Sequence, residues 1–329
     1  MKWSIKQVGA ALSALCLTVA TVVPAAAQDY PDRPVTLIVP FAAAGPGDII
    51  ARLIADAMRR SLGQEVIVVN MGGAGGTIGT ARVAAAKPDG YTILLGHTGQ
   101  ATQTSLYKSL TYDPVESFDT IGLVTEVPMT IVGKPGLEPA DLKTLITYIR
   151  ERPDKLNYAH SGLGSVAQLC GLMFMSATRT KMTVIPYKGG GEVMKDLLAG
   201  QIDVYCEPAT GTTANIQAGK IKAYAVTTKK RVGTLPDVPT TTEAGFPEIG
   251  ITTWYGLYAP KGTPAPVIAK LSTALQAAVV DSNVVTRFGP LSMVPVSPDQ
   301  ATPAALDAKL KSEVKYWSAL LKEAGVKPE

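Results

Sequence analysis

The sequence predicts an α/β fold with parallel strands and two domains. From residue 35 onward, short β-branched apolar runs alternate with amphipathic helical patterns, and this order is typical of parallel sheets. A chain of 329 residues is longer than one ordinary hydrophobic core requires, so two domains are expected. The composition, with 46% hydrophobic and 18% charged residues, is that of a globular protein.

The first strand and helix show the pattern that the rest of the chain repeats. The continuous apolar run Val35–Val39 predicts a buried strand. A loop of small residues, 42–47, follows it, and Asp48 is predicted to be the N-cap of a helix that ends at Gly63. Apolar side chains fall on one face of this helix and charged ones on the other, so we expect it to pack on the sheet.

Six further runs have the length and composition of strands. They are Val66–Val69, Tyr91–Leu95, Leu156–Ala159, Thr183–Ile185, Asp203–Cys206 and Lys222–Thr227. Five loops that lead from a strand into the next helix are unusually small or rich in glycine. Because ligands gather at the carboxyl ends of parallel strands, these loops predict a binding site on physical grounds alone.

The sequence pattern changes after Pro239. A polar, proline-containing stretch to Pro247 indicates a connection, and Thr252–Tyr258 then predicts a strand that returns to the first domain. Two helices are predicted to close the chain, near Pro264–Val280 and Pro303–Glu323. The second helix carries an apolar stripe that we expect to pack on the core: Leu306, Leu310, Val314, Trp317 and Leu321.

The first 27 residues have the features of a secretory signal peptide. Lys2 and Lys6 form a short positive region, an uncharged apolar run covers Val8–Val23, and Ala25–Ala27 supplies small residues before Gln28. A membrane anchor is the alternative, but the run is close to the lower limit of about 17 residues for crossing a bilayer. We therefore expect cleavage near Ala27-Gln28 and export from the cytoplasm.

The cysteines do not suggest a lipid anchor or a zinc site. Cys16 lies inside the apolar run and follows Leu15, which is not the small residue that a lipoprotein signal needs. Cys170 falls in an apolar helical pattern and Cys206 at the end of a strand, without metal-ligand spacing. We expect Cys170 and Cys206 to be two separate buried thiols, and a disulfide, which an oxidising compartment permits, is the alternative.

The charge and the missing motifs argue against nucleic-acid binding and catalysis. The formal net charge is +4, of which the predicted signal peptide contributes two, and no stretch interleaves basic with aromatic residues. In the glycine-rich loop 72–76, Ile78 stands where a dinucleotide fingerprint needs its third glycine. No Walker phosphate motif occurs, and no G-x-S-x-G surrounds Ser161 or Ser165. We therefore expect no cofactor, no metal and no catalytic activity.

Both histidines of the chain follow a predicted strand directly. His97 and His160 each stand in a loop of small residues. An imidazole there can donate a hydrogen bond to an anionic ligand, and the alternative is a structural role in the loop. The sequence favours neither of these two roles clearly.

Motifs along the whole predicted mature chain resemble one receptor family. The run VTLIVPFAAAGPGD at 35–48 resembles the opening of the periplasmic receptors of tripartite tricarboxylate transporters, called Bug or TctC-type proteins. Further similar motifs follow in order: Asn70–Gly76, Lys87–Tyr91, Leu106-Tyr107, Asn157–Ala159, Ile185–Gly189, Gly200–Asp203, Leu235–Thr240, Glu243–Gly245 and Trp254–Gly256.

The resemblance implies a type II periplasmic-binding-protein fold, with two α/β lobes joined by crossover segments and a ligand cleft between them. The lobes are expected at 28–125 plus 253–329 and at 126–252. A member of this family captures a small carboxylate in the periplasm and delivers it to the inner-membrane permease subunits of the transporter; we expect a monomer. A ligand-sensing role beside a membrane sensor kinase stays open, and a periplasmic hydrolase is a remote alternative.

The family's contact loops map onto a defined set of residues in this chain. They are Phe41, Ala42, Ala43, Ala44, Gly45, Asp48, His97, Thr98, His160, Ser161, Gly162, Gly164, Ser165, Val166, Asp203 and Glu207. Lys188 joins the predicted site as the nearest basic residue in a comparable position. None of these loops carries arginine, so main-chain N–H groups at helix N-termini are expected to hold the carboxylate, with Asp48 capping its helix.

The histidines depart from the family pattern and suggest a particular ligand. They stand at 97 and 160, where small hydroxyl residues are frequent in the family. We hypothesise that the two imidazoles bind a second polar end of the ligand. An aliphatic or aromatic dicarboxylate has such an end, and a terephthalate-like compound is the narrower expectation.

Overall fold

The structure is a computed structural model that describes residues 30–43 and 45–328. The predicted signal peptide, residues 1–27, and Ala44 of the predicted site lie outside the described residues. Within the described part, no helix combines the length and the apolar character that crossing a membrane requires.

A mixed sheet of ten strands forms the centre of the described part of the chain. The strands are β1 (Val35–Val39), β2 (Val66–Asn70), β3 (Thr92–His97), β4 (Phe118–Gly133), β5 (Asn157–His160), β6 (Thr183–Pro186), β7 (Val204–Pro208), β8 (Lys222–Val226), β9 (Thr252–Pro260) and β10 (Val294-Pro295). The main path runs in the order β2-β1-β3-β9-β4-β7-β5-β6, and β8 and β10 also pair with β4.

Helices cover the sheet and close the chain. They are α1 (Pro46–Leu62), α2 (Thr77–Ala84), α3 (Gln103–Leu106), α4 (Leu142–Glu151), α5 (Val166–Thr178), α6 (Gly190–Leu198), α7 (Ala209–Gln217), α8 (Ala265–Val279), α9 (Ser282–Phe288) and α10 (Pro303–Glu323). The bounds of α10 and its buried stripe match the prediction, except that Val314 is only half-buried.

Each end of the sheet is a small parallel unit. At one end β1 pairs in parallel with β2 and β3, and at the other β5 pairs in parallel with β6 and β7. All the strands predicted from apolar runs are present, with ends that differ by one or two residues. The prediction of an α/β fold with parallel strands is therefore confirmed.

The strand β4 connects the two ends. Its 16 residues pair antiparallel with β9 from Phe118 to Pro128, and with β7 and β8 from Met129 to Gly133. Strand β4 was not predicted from the sequence, because glycines and a proline interrupt its apolar pattern. The returning strand β9 was predicted, and it pairs antiparallel with β3 as well as β4.

The helix α1 begins earlier than predicted. Its N-cap is Gly45 and Pro46 occupies the first turn, so Asp48 is not the N-cap. Proline suits this position because its fixed φ is already helical and its missing N–H would have no helical partner there. Asp48 instead lies buried in the first turn, with an oxygen 2.9 Å from the Arg52 guanidinium.

The prediction of two separate thiols was wrong, since Cys170 and Cys206 form a disulfide. The helix α5 packs on β7, and this packing brings the two Cα atoms to 6.2 Å. Both cysteines are buried, and the bond links residues 36 positions apart in sequence. Local sequence pattern carries no record of this contact between a helix and a strand.

Candidate functional site: a cavity between two walls

A cavity of about 700 Å³ lies at the carboxyl ends of the parallel strands. What we call the first wall comes from the ends of β1, β2 and β3 and consists of Pro40, Phe41, Ala42, Gly45, Pro46, Gly47, Gly72, Gly73, Gly75, Gly76 and His97. The second wall comes from the ends of β5, β6 and β7 and consists of Ser161–Ala167, Tyr187–Gly190, Glu207 and Pro208. Thr253 and Tyr255 of β9 complete the lining.

Most residues of the predicted site line this cavity. They are Phe41, Ala42, Gly45, His97, Ser161, Gly162, Gly164, Ser165, Val166, Lys188 and Glu207. The described residues of the predicted site that stand outside the lining are Ala43, Asp48, Thr98, His160 and Asp203.

Several lining residues were not among those predicted from the sequence. The glycines of the loop 72–76 had a signal, because a glycine-rich turn between a strand and a helix was already noted there. Tyr255 had only the family-like motif Trp254–Gly256, which does not show where its side chain lies. The antiparallel pairing of β9 with β3 sets Tyr255 opposite His97 and brings it to the cavity.

Four helix N-termini meet at the cavity. The N-caps are Gly45 for α1, Gly76 for α2, Ser165 for α5 and Gly189 for α6, and all four line it. The N-caps of α1, α2 and α6 are glycines, so no N-cap side chain bonds to the first N–H groups of these helices. Helix N-termini carry partial positive charge, and the arrangement therefore favours an anion without any arginine.

His97 is a neutral residue of the first wall. Its Nδ1 accepts a hydrogen bond from the Gly99 N–H at 2.9 Å, and its ring contacts the Phe41 ring edge-on, with centroids 4.5 Å apart. Burial lowers the pKa of His97 to about 4. With Nδ1 accepting, the proton of the neutral ring is on Nε2, which is then a donor.

His160 supports the second wall from behind. Its Nδ1 lies 3.2 Å from the N–H and 3.0 Å from the carbonyl oxygen of Gly162, and its side chain is buried. Burial lowers the pKa of His160, so the ring is neutral at neutral pH. His160 shapes the loop that lines the cavity and is not part of the lining itself.

Thr98 and Asp203 have structural partners. The Thr98 hydroxyl accepts from the Trp254 N–H at 2.9 Å and donates to the Thr252 carbonyl at 3.3 Å, which ties β3 to β9. The Asp203 carboxylate accepts from the Asn157 N–H and lies 2.7 Å from the Lys134 ammonium. Both residues stabilise the strands that carry the lining loops.

The second wall carries the charged side chains of the cavity. Lys188 lies in the loop before α6, and Glu207 lies at the end of β7, next to the disulfide-bonded Cys206. The Tyr205 hydroxyl donates a hydrogen bond to Glu207. Burial raises the pKa of Glu207 to about 7, although the bond from Tyr205 acts in the opposite direction.

The two walls touch each other through their main chains. A Cβ atom on Gly75 would lie 2.7 Å from the Leu163 carbonyl oxygen. One on Gly99, which follows His97 of the first wall closely in sequence, would lie 2.8 Å from the Gly164 carbonyl oxygen. Only glycine permits such close backbone approach, so these contacts require glycine at both positions. The structure therefore has the cavity closed along this line.

The fold and the cavity define a ligand-binding protein of the type II periplasmic class. Two α/β units joined by the crossover strands β4 and β9 enclose a cavity at their strand ends. Within residues 30–43 and 45–328, no group of three or more His, Cys, Asp and Glu side chains could hold a metal ion.

Comparison with known proteins identifies the family. The family model of the tripartite tricarboxylate transporter family receptor, TctC, matches residues 50–326, and the chain belongs to this family. It is 49% identical over 327 residues to the UPF0065 protein in the TAR-I ttuE-ttuC' intergenic region of Agrobacterium vitis, covering 98% of this chain and 94% of the relative. It is 35% identical to the protein BugT of Bordetella pertussis, over 92% of this chain and 93% of the relative.

Known structures agree with this assignment. The periplasmic binding protein BugD has a TM-score of 0.84 and 48% identity, covering 91% of this chain and 100% of that chain. MatC from Rhodopseudomonas palustris with bound malate has a TM-score of 0.82 and 37% identity, covering 89% and 100%. Rpa4515 of R. palustris with adipate has a TM-score of 0.84 and 31% identity, covering 92% and 100%. The family consists of periplasmic solute-binding receptors, which are not enzymes.

Proposed function

We propose that this receptor captures a small dicarboxylate in the cavity between its two walls. The convergence of four helix N-termini on one cavity of about 700 Å³ is the observation that carries the proposal. The first wall offers α1 and α2, and the second wall offers α5 and α6, so each wall can receive one carboxylate. The relatives with bound malate and adipate support a compound with two carboxylates.

The energetics allow such binding without arginine. Micromolar affinity corresponds to about 8 kcal/mol, and one charge-assisted hydrogen bond contributes roughly 1.5–3 kcal/mol net. A few main-chain donors on each wall, together with apolar burial against the Phe41 and Tyr255 rings, supply this after the ordering costs. We place the His97 Nε2–H among the donors, and His160 behind the loop as a support.

Two classes of dicarboxylate fit the proposal. Aliphatic dicarboxylates are favoured, because malate and adipate occupy the relatives. Aromatic dicarboxylates of the terephthalate kind are the second class, and the aromatic rings of Phe41, Tyr187 and Tyr255 in the lining support them. The loaded receptor then delivers its ligand to the membrane permease of a tripartite tricarboxylate transporter, as the family description implies.

A thermal-shift screen of the protein purified from the periplasm tests this proposal. The compounds are malate, adipate and terephthalate, each beside a monocarboxylate of matched size, followed by mass spectrometry of the recovered compound. We expect dicarboxylates at about 100 times Kd to raise the Tm by several degrees and to return intact. Equal shifts for the monocarboxylates, no shift, or an altered compound would each contradict the proposal.

The remaining expectations stay predictions. Mass spectrometry of the exported protein tests cleavage before Gln28, and gel filtration tests the monomer. A pull-down with the loaded receptor distinguishes a permease from a sensor kinase. Crystal structures with and without ligand test the lobe boundaries at 125–126 and 252–253, because the lobes should rotate relative to each other about these positions in β4 and β9.

A further inference from the structure

Glu207 places a carboxyl group in the cavity without a basic partner. It lines the second wall at the end of β7, and no described ion pair includes it. A Cβ atom on Gly190 would lie 2.8 Å from Glu207 Oε1, and one on Gly211 would lie 3.2 Å from it, so α6 and α7 pack closely around the carboxyl group. The hydroxyl of Tyr205 donates to the other oxygen, Oε2.

Three tyrosines and the glycine backbone of two helices lie near Glu207. Tyr205 of β7 donates to it, while Tyr158 of β5 and Tyr255 of β9 interact with it only electrostatically. Burial raises the pKa of all three phenols, so they are neutral. α6 and α7 face it with glycine backbone. The other titratable groups in the lining are His97, which is neutral, Tyr187, whose hydroxyl donates to Asp196, and Lys188, which is exposed.

A charged Glu207 is a poor neighbour for a dicarboxylate. Two or three anionic groups in one buried cavity repel each other, and a buried carboxylate without a cation is itself unfavourable. Protonation of Glu207 removes the repulsion and turns the group into a hydrogen-bond donor. Since Tyr205 occupies Oε2, the proton belongs on Oε1, the atom beside Gly190 of the lining.

We propose that Glu207 is a carboxylic acid in the loaded receptor and donates from Oε1 to a carboxylate oxygen of the ligand, so that capture takes up one proton from the solvent. The inference rests on the proposed function and deepens it, because Glu207 then sets how many negative charges the cavity accepts. The proton comes from water or buffer, and release of the ligand returns it. With the pKa of Glu207 raised to about 7, proton uptake on binding is largest above neutral pH.

Binding calorimetry between pH 6.5 and 8.5 tests this. The probe is whichever of malate, adipate and terephthalate gives the largest thermal shift, and all three are fully ionised in this range. We expect the wild-type affinity to fall about 20-fold from pH 6.5 to pH 8.5. Titrations at pH 8 in two buffers of different ionisation enthalpy should show uptake of about one proton per ligand. Burial lowers the pKa of His97 to about 4 and lowers the pKa of His160 as well, so neither imidazole explains a fall in affinity above pH 7.

Two variants separate the role of Glu207 from a general pH effect. Glu207→Gln keeps the shape and the donor but cannot ionise, so its affinity should be independent of pH and without proton uptake. Glu192→Gln, the same change at an exposed position in the first turn of α6, should keep the wild-type pH dependence. If Glu207→Gln does not fold, the wild-type slope and proton count decide alone.

The outcomes distinguish the two proposals. A wild-type affinity that is flat with pH overturns the inference and leaves dicarboxylate capture standing. An affinity that rises with pH and is lost in Glu207→Gln also overturns it, and shows that the ionised Glu207 receives a cationic group of the ligand. No binding of any dicarboxylate at any pH overturns the proposed function and the inference with it.

Discussion

The two walls of the cavity are built from different materials. The first wall presents main chain, small residues, Phe41 and a neutral His97, whereas the second wall presents Lys188 and Glu207 and is braced by the disulfide of Cys206. Main-chain donors at helix ends suit any carboxylate. Both walls offer helix N-termini, and only the second adds charged side chains. If the receptor captures a dicarboxylate as proposed, discrimination between ligands is therefore expected from the second wall.

The largest expected effect is that of removing the disulfide of the second wall. Replacing both Cys170 and Cys206 by alanine should lower the free energy of unfolding by about 3 kcal/mol, because the bond restricts the unfolded chain across a separation of 36 residues. Urea unfolding measures this. Reductant should weaken the wild type by a similar amount and leave the double variant unchanged. A loss below about 1 kcal/mol would show that the second wall does not depend on its cross-link.

The next largest effect is the pH dependence of stability that the buried Glu207 carboxyl group causes. The pKa of Glu207 is raised from 4.5 to about 7, so its contribution to stability is complete below pH 4.5 and is lost as the pH rises through 7. Glu207→Gln should therefore gain about 2 kcal/mol relative to the wild type between pH 5 and pH 8.

Urea unfolding of both proteins at the two pH values measures that gain. His97, whose lowered pKa makes stability fall from pH 6.5 downward, acts equally in both proteins, so the difference between them isolates Glu207. A difference that is the same at pH 5 and pH 8 would show that the cavity does not hold the carboxyl group in the way the structure indicates.

The loops of both walls could be predicted from the sequence, but the contacts between distant segments could not. Loops such as 161–166 and the glycines of 72–76 were recognisable because strand, glycine and helix follow each other within about ten residues, and parallel topology then brings the strand ends together. The disulfide, the strand β4 and the position of Tyr255 depend on contacts between segments far apart in sequence. Local periodicity carries no information on such contacts.

The two histidines show that sequence pattern also fails to predict the position of a single side chain. Both follow a strand and precede small residues, so the sequence pattern treats them alike. His97 bonds to Gly99 and lines the cavity, while His160 bonds to Gly162 and lies behind the loop. The direction of each ring depends on the fold of its own turn, which residue type and spacing do not determine.

A smaller effect tests the contact between the walls. Gly75→Ala adds a Cβ atom that overlaps the Tyr107 hydroxyl and lies 2.7 Å from the Leu163 carbonyl oxygen, so the walls can no longer close fully. We expect about tenfold weaker ligand binding by calorimetry, together with about 1 kcal/mol of lost stability from the left-handed backbone. Gly136→Ala is the matched control, because Gly136 has a similar φ of 71° and nothing within 4 Å of the added atom.

For the control we expect the same loss of stability and an unchanged affinity. If Gly75→Ala binds as well as Gly136→Ala, the bound state does not need the close approach of Gly75 to the second wall. Comparison with Gly99→Ala, which would meet the Gly164 carbonyl oxygen and the His97 ring, checks the second contact.

The smallest effect separates the two histidines. His97→Asn keeps an acceptor for the Gly99 N–H but removes the Nε2 donor, so binding should weaken about fivefold, the value of one hydrogen bond. His160→Ala should change affinity less than twofold and lower the free energy of unfolding by about 1 kcal/mol, because only the bonds to Gly162 are lost. Calorimetry and urea unfolding on both variants measure this. Equal losses of affinity would place His160 in ligand binding and remove the distinction between a histidine in the lining and one behind it.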